Sequence, residues 1–167
     1  NVALVATEAI PEFADYFASW EATRAGIATG SMVDTHADDG VSESIQEALA
    51  GEGHGILEQV WAFNLPVGES VTLYADVYTD AADQTFTFAY STTGAAFDES
   101  PEDWEDMFTV GSSSSGLQQF SLPPLDGFVF ISVRDNSREA GVATSDSVNI
   151  DYLSVRVTNP VGQPSGC

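Results

Sequence analysis

The chain is almost without cationic side chains, with four arginines and no lysine among 167 residues, against 26 aspartates and glutamates. The formal net charge of −22 would repel a phosphate backbone or an anionic lipid surface, because both need cationic partners. We therefore expect no nucleic-acid partner. An acidic surface stays soluble where salt screens it or divalent cations neutralise it. The composition favours a secreted, extracellular or cell-surface protein.

Cysteine and long apolar runs are also scarce. The only cysteine is Cys167, so a disulfide within the chain is impossible. No apolar run approaches the roughly 18 residues that a membrane-spanning helix needs. The sequence therefore predicts no membrane insertion.

Catalytic motifs are missing as well. The two histidines, His36 and His54, lie in neither a nucleophile-elbow nor a zinc-binding pattern. Paired carboxylates could in principle act on a glycosidic bond, but a chain of short strands leaves little room for a deep cleft. We expect a protein that is not an enzyme.

Alternation of apolar and polar residues predicts strands along most of the chain. Its clearest instance is residues 71–78, where Tyr74 and Tyr78 fall on the polar face. The predicted strands cover residues 57–64, 71–78, 85–91, 107–110, 117–122, 127–134 and 147–157. Many short strands separated by turn residues predict an all-β fold, an antiparallel β-sandwich or jelly roll.

We expect the sandwich domain to cover residues 16–157, after a short N-terminal extension at 1–15 and before a tail or linker at 158–167. The start of the domain has two interpretations. Phe13, Tyr16, Phe17 and Trp20 have helical spacing, whereas a strand over about 15–23 also fits.

Six segments together resemble a known class of domain. They are YFASWE (16–21), ATGSMVDT (28–35), HADDGVSESIQE (36–47), LEQVWAF (57–63), FTFAYS (86–91) and SVNIDYL (147–153). This order resembles the accessory β-sandwich domains of secreted bacterial hydrolases and surface proteins, which are similar to carbohydrate-binding modules of the galactose-binding-like jelly-roll type. The resemblance implies a non-catalytic module that binds glycan or mediates surface attachment.

The resemblance also implies a structural calcium ion that ties the first strands to the last. It would place the ligands among five acidic residues: Glu21, Asp39, Glu43, Glu47 and Asp151. Strand phase agrees in part, because Asp39, Glu43 and Glu47 share one face of a strand, and Ca²⁺ prefers carboxylate oxygens. The competing interpretation is that Glu43 and Glu47 simply face solvent.

Several residues are candidates for contacting a glycan, because sugars pack their apolar faces on aromatic rings and polar groups fix their orientation. The candidates are Trp104, Tyr74, Tyr78, Arg134, Asp135 and Arg138. Trp61 and the stripe of Phe86, Phe88 and Tyr90 are expected in the core instead. Trp104 is expected on a loop among six acidic residues, which we interpret as a solvated tip.

A second hypothesis is that the partner is another copy of the chain. The apolar segment Val2–Ala6 could add as a strand to a neighbour's sheet edge, and calcium could bridge acidic subunits of an extracellular filament or surface array.

Overall fold

The computed structural model describes residues 12–49, 55–81, 84–136 and 146–161. Numbered along the chain, its strands are β1 (Phe13–Tyr16), β2 (Trp20–Ala25), β3 (Ile27–Thr29), β4 (Glu43–Gln46), β5 (Ala48–Leu49), β6 (Gly55–Ile56), β7 (Glu58–Leu65), β8 (Ser70–Thr79), β9 (Phe86–Ser91), β10 (Glu105–Val110), β11 (Gly116–Leu122), β12 (Gly127–Asp135) and β13 (Ser147–Thr158). Short 3₁₀ turns occupy Met32–Thr35, Pro101–Asp103 and Ser112–Ser114. In this part of the chain no helix is long and apolar enough to span a membrane.

The strands form two antiparallel sheets and a small ribbon. The six-stranded sheet has the order β11-β8-β13-β4-β3, and β1 pairs with β13 beyond the end of β4. The five-stranded sheet has the order β10-β9-β12-β7-β2, and β5 pairs with β6. The predicted all-β antiparallel sandwich is confirmed.

The seven strands predicted from alternation all form, with ends that differ from the prediction by at most two residues. The start of the domain forms two strands rather than a helix. β1 pairs with β13 of one sheet and β2 pairs with β7 of the other, so the aromatic residues with helical spacing are divided between two sheets. Pairing with distant strands overrides the local helical pattern.

The core lies between the sheets. It contains the aromatic residues that alternation placed on one face of their strands: Trp61, Phe63, Phe86, Phe88 and Tyr90. The Phe88 ring has no exposed surface, and it stacks on the Phe108 ring of the neighbouring strand with centroids 4.9 Å apart. Phe88 therefore contributes to stability through both its burial and its ring contact.

Truncation of this ring should be costly. We expect Phe88→Ala to lower the free energy of unfolding by about 3–5 kcal/mol, because it leaves a cavity in the core. A matched control is Phe128→Ala, whose ring is 62% exposed and whose loss should change stability by under about 0.5 kcal/mol. Urea unfolding of both variants measures the difference. Equal costs at the two positions would contradict this assignment of the core.

Candidate functional site

The five-stranded sheet is apolar on both faces. On β7 and β12, the residues that point toward the other sheet are Trp61, Phe63, Leu65, Val129, Ile131 and Val133, all in the core. The residues between them point to the outer face because side chains alternate along a strand, and they include Val60, Ala62, Phe128 and Phe130. A cluster of apolar side chains on an outer face raises the question of which segment or ligand covers it.

Residues 92–104, here called the covering loop, pack over one half of this outer face. Phe97 and Trp104 of the loop contact a second apolar cluster formed by Val60, Ala89 and Phe130. Trp104 is only 6% exposed, and its Nε1 donates a hydrogen bond of 2.8 Å to the carbonyl oxygen of Ala95. The Trp104 ring is thus buried between the backbone of the loop and the sheet, where it is not available to a glycan.

Two arginines hold the covering loop on the sheet. Arg24 of β2 donates to the carbonyl oxygens of Gly94 and Ala95, the latter at 2.9 Å. Arg134 of β12 lies over the Phe97 ring, 4.0 Å from its centroid, and donates to Asp106 at 2.6 Å. Arg134 therefore holds the covering loop in place, and because the residue is only 9% exposed, it is not available to a glycan.

The remaining polar candidates lie elsewhere. Asp135 is buried and points inward, where its Oδ1 accepts a hydrogen bond of 2.7 Å from the backbone N–H of Leu57. Arg138 lies outside the described residues. Tyr74 and Tyr78 are on β8 of the other sheet, so the structure does not bring them together with Trp104 and Arg134.

The other half of the outer face is uncovered and forms a shallow depression of about 370 Å³. Its lining consists of Trp20, Ala62, Phe128 and Phe130, and we call it the aromatic depression. Trp20 is 48% exposed and Phe128 is 62% exposed, unusually high values for large apolar rings. Adjacent exposed rings of this kind make the aromatic depression a candidate binding surface.

Strand register explains the shape of the aromatic depression. Trp20 on β2 and Phe130 on β12 both lie directly opposite Ala62 on the strand between them. Because neighbouring strands are about 4.8 Å apart, the backbones that carry the two rings are separated by about 10 Å. The small Ala62 side chain forms the floor, and the exposed Asn64, opposite Phe128, offers a polar group beside it.

The covering loop also borders the aromatic depression. Gly94 has a φ of +68°, which L-residues with a side chain rarely adopt. A Cβ at this position would lie 2.8 Å from carbon atoms of the Phe130 ring. The absence of a side chain thus lets the loop pack directly against this ring and fix its position.

The predicted calcium ligands do not come together as one set. Glu47 accepts a hydrogen bond from the backbone N–H of Asp146, at 3.1 Å. Asp39 accepts one from Val41 in its own turn, at 3.0 Å. Asp151 accepts from the N–H of Gly40 and lies in a group with Asp38 and Asp76 instead.

Glu21 and Glu43 are the expected ligands that do meet, and they link the two sheets. Glu43 of β4 is fully buried and accepts hydrogen bonds from Gln59 Nε2 and Trp61 Nε1 of β7, both at 2.9 Å. Gln59 Nε2 also lies 3.4 Å from Glu21 Oε2. Burial, together with the nearby Glu21, raises the pKa of Glu43 to about 8, although the bond from Trp61 opposes the shift. Protonation of Glu43 would relieve the repulsion between these two carboxyl groups.

The comparisons with known proteins concern the fold. No protein-family model matches the chain, and no curated protein sequence is detectably similar to it. A family 29 carbohydrate-binding module from Piromyces equi is 13% identical with a TM-score of 0.50, over 88% of this chain and 91% of the module. A mutant of the CBM29-2 module, complexed with mannohexaose, is 12% identical with a TM-score of 0.51, over 90% of this chain and 93% of that one.

A third solved structure, TmCBM61 in complex with β-1,4-galactotriose, is 12% identical with a TM-score of 0.48, over 81% of this chain and 86% of that one. At such identities the first two structures establish a shared fold. The protein shares the β-sandwich fold of these two carbohydrate-binding modules, so the fold that the resemblance implied is confirmed.

Sequence reasoning missed Trp20 and Phe128. A signal was present, because residues 127–134 (GFVFISVR) carry large apolar side chains at both phases of the alternation. Such a strand is apolar on both faces, which indicates that its outer face contacts something besides water. The sequence does not indicate which part of that face the covering loop leaves exposed, because tertiary contacts position the loop.

The raised pKa of Glu43 has a consequence for stability. Between pH 4.5 and about 8 the folded protein keeps a proton that the unfolded chain releases, so the contribution of this carboxyl is lost as the pH rises. Glu43→Gln replaces this carboxyl with an amide that does not titrate. The difference in free energy of unfolding between the native protein and this variant should therefore fall as the pH rises from 4.5 to about 8.

Chemical denaturation at a series of pH values measures this difference. The control is Glu99→Gln on the exposed part of the covering loop, whose curve should run parallel to that of the native protein. Parallel curves for native protein and Glu43→Gln would mean that Glu43 is ionised throughout and that the assigned shift is wrong.

Proposed function

We propose that this protein is a non-catalytic module that binds a neutral polysaccharide through the aromatic depression. The observation that carries the proposal is the pair of exposed rings, Trp20 and Phe128, at the uncovered half of an apolar sheet face. Sugar rings present apolar C–H faces that pack on aromatic side chains. The fold neighbour that was solved with mannohexaose supports an oligosaccharide as the class of ligand.

The open shape favours a chain rather than a single small molecule. Trp20 and Phe130 flank the small Ala62, so the two rings border a trough across three neighbouring strands. A trough open to solvent can accept the interior of a polymer, whereas small ligands are usually bound in deeper, enclosed pockets. Asn64 beside the trough is placed to donate to or accept from a sugar hydroxyl.

Charge indicates the kind of polysaccharide. The residues that line the aromatic depression are all uncharged, and the net charge of the chain is −22. An anionic polymer such as a polyuronate would be repelled at long range and would find no cation in the site. A neutral glycan meets neither penalty. Many neutral polysaccharides are structural polymers outside cells, and the strongly acidic composition favours the same extracellular location.

Substitution of the exposed rings tests the site. We expect Trp20→Ala and Phe128→Ala each to weaken binding at least about tenfold, which corresponds to about 1.4 kcal/mol of lost stacking. The matched control is Tyr78→Ala, which removes a ring that is 47% exposed on the opposite sheet and was itself predicted to contact a glycan. Affinity electrophoresis with soluble mannan, galactan and xylan, followed by calorimetry, measures the change.

The outcomes separate the alternatives. Loss of binding in Tyr78→Ala but not in Trp20→Ala would move the site to the six-stranded sheet. No binding of the native protein to any neutral polysaccharide would contradict the proposed function.

A second prediction concerns selectivity between neutral and acidic glycans. The native protein should bind a neutral polymer in low salt but show no measurable affinity for polygalacturonate, because of charge repulsion. The measurement is the same electrophoresis with each polymer in the gel. Tighter binding of the acidic polymer would contradict the assignment to neutral glycans.

Self-assembly by strand addition stays a prediction. Val2–Ala6, the segment that motivates it, lies outside the described residues. Size-exclusion chromatography at high protein concentration, with and without calcium, tests it, since a chain that stays monomeric in both conditions excludes a filament.

A further inference from the structure

The outer face of the six-stranded sheet carries three aspartates that converge. Asp38, Asp76 and Asp151 each offer a carboxylate oxygen, and these oxygens lie within 4.8 Å of one another. We call these residues the aspartate group. They come from a turn, from β8 and from β13, so the fold itself brings three like charges together.

A bulge in β13 orients the Asp151 side chain toward the other two aspartates. β13 has a bulge, because Ile150 lies opposite Val77 and Tyr152 lies opposite the next residue back, Asp76. Ile150 and Leu153 both belong to the core, so the two residues between them turn toward the outer face. The bulge thus brings the Asp151 carboxylate beside that of Asp76.

One carboxylate oxygen of Asp76 is buried without a hydrogen-bond donor in the described part of the chain. The residue is only 7% exposed, and its Oδ1 is buried without a hydrogen-bond partner among the described residues. Its other oxygen, Oδ2, accepts a hydrogen bond of 3.0 Å from the Tyr78 hydroxyl. A buried carboxylate oxygen without a donor is costly, so an ion or a water molecule is expected to satisfy it.

The protein's own cations are engaged elsewhere. Within the described residues, Arg24 pairs with Glu58, Arg134 with Asp106 and Arg156 with Asp15. The backbone N–H of Gly40 donates to the Asp151 carboxylate and lies 3.1 Å from one oxygen and 3.2 Å from the other.

We propose that Asp38, Asp76 and Asp151 bind a hard divalent cation, calcium, which joins the turn before β4 to β8 and β13. Ca²⁺ accepts carboxylates in flexible geometry and fills its remaining positions with water, which suits a group whose Asp38 is exposed to solvent. Of the five ligands that the family resemblance implied, only Asp151 takes part. The site lies on the sheet opposite the aromatic depression, so it does not depend on glycan binding.

Neighbouring aspartates in the same turn provide a matched test. Asp38→Asn and Asp39→Asn remove the same charge from adjacent exposed residues, but Asp39 belongs only to the set that the resemblance implied. The full chain is freed of metal and titrated with CaCl₂ by calorimetry at pH 7 in 0.15 M salt. We expect the native protein and Asp39→Asn to bind with similar affinity and Asp38→Asn to bind at least tenfold more weakly.

Three results would overturn the proposal: no calcium binding by the native protein, equal affinities in the two variants, or a larger loss in Asp39→Asn. Equal affinities would mean that any calcium effect is general screening of a strongly acidic surface. Because Asp38 is exposed, its variant should fold like the native protein.

Thermal unfolding gives an independent readout, since a ligand that binds the folded state raises its melting temperature. At the same CaCl₂ concentration, the melting temperature should rise clearly more for the native protein and Asp39→Asn than for Asp38→Asn or Asp76→Asn. Glu43→Gln should keep the calcium-dependent rise. If Glu43→Gln alone abolishes it, the ion is bound at Glu43 and the proposal is wrong. Trp20→Ala should also keep the rise, so failure of the glycan proposal is a separate outcome.

Discussion

The five-stranded sheet has two apolar faces, and much of the molecule is arranged around this constraint. One face packs on the other sheet and forms the core. The other face would expose Val60, Ala89 and Phe130 to water, and the covering loop buries these with Phe97 and Trp104. The loop reaches only part of the face, so Trp20 and Phe128 remain exposed beside it. The same hydrophobic driving force thus explains the loop's position and leaves the surface proposed to bind glycan.

The scarcity of cations shapes the rest of the surface. Each arginine in the described residues secures one place in the fold: Arg24 and Arg134 hold the covering loop, and Arg156 bonds to Asp15 of β1 and lies over the rings of Phe13 and Tyr74. Buried carboxylates must then be satisfied otherwise. Glu43 accepts two hydrogen bonds, and burial raises its pKa, whereas the aspartate group is left to the proposed cation.

Local patterns could predict the strands but not what meets across them. Alternation over 71–78 or 147–157 is visible in a short window, because a half-buried strand repeats every two residues. The bulge at Asp151 depends on pairing with Asp76 and Val77 of the distant strand β8. The pairing of β1 with β13 joins residues more than a hundred positions apart. Glu43 and Glu47 have the correct phase for a shared face, but their hydrogen-bond partners lie on different segments. Glu43 accepts from Gln59 of β7, and Glu47 accepts from the backbone N–H of Asp146.

The sequence by itself determined the fold class, the acidic surface and most of the core, because period-2 alternation and net charge are properties of the chain alone. Tertiary structure decided which aromatic rings remain exposed. Trp104 and Trp20 are both tryptophans near polar residues, but Trp104 is buried between the covering loop and the sheet, whereas the loop ends short of Trp20. It also decided which acids converge, since Asp38, Asp76 and Asp151 meet only when β8 and β13 pair. Exposure and proximity are set by contacts between distant segments, which no local pattern records.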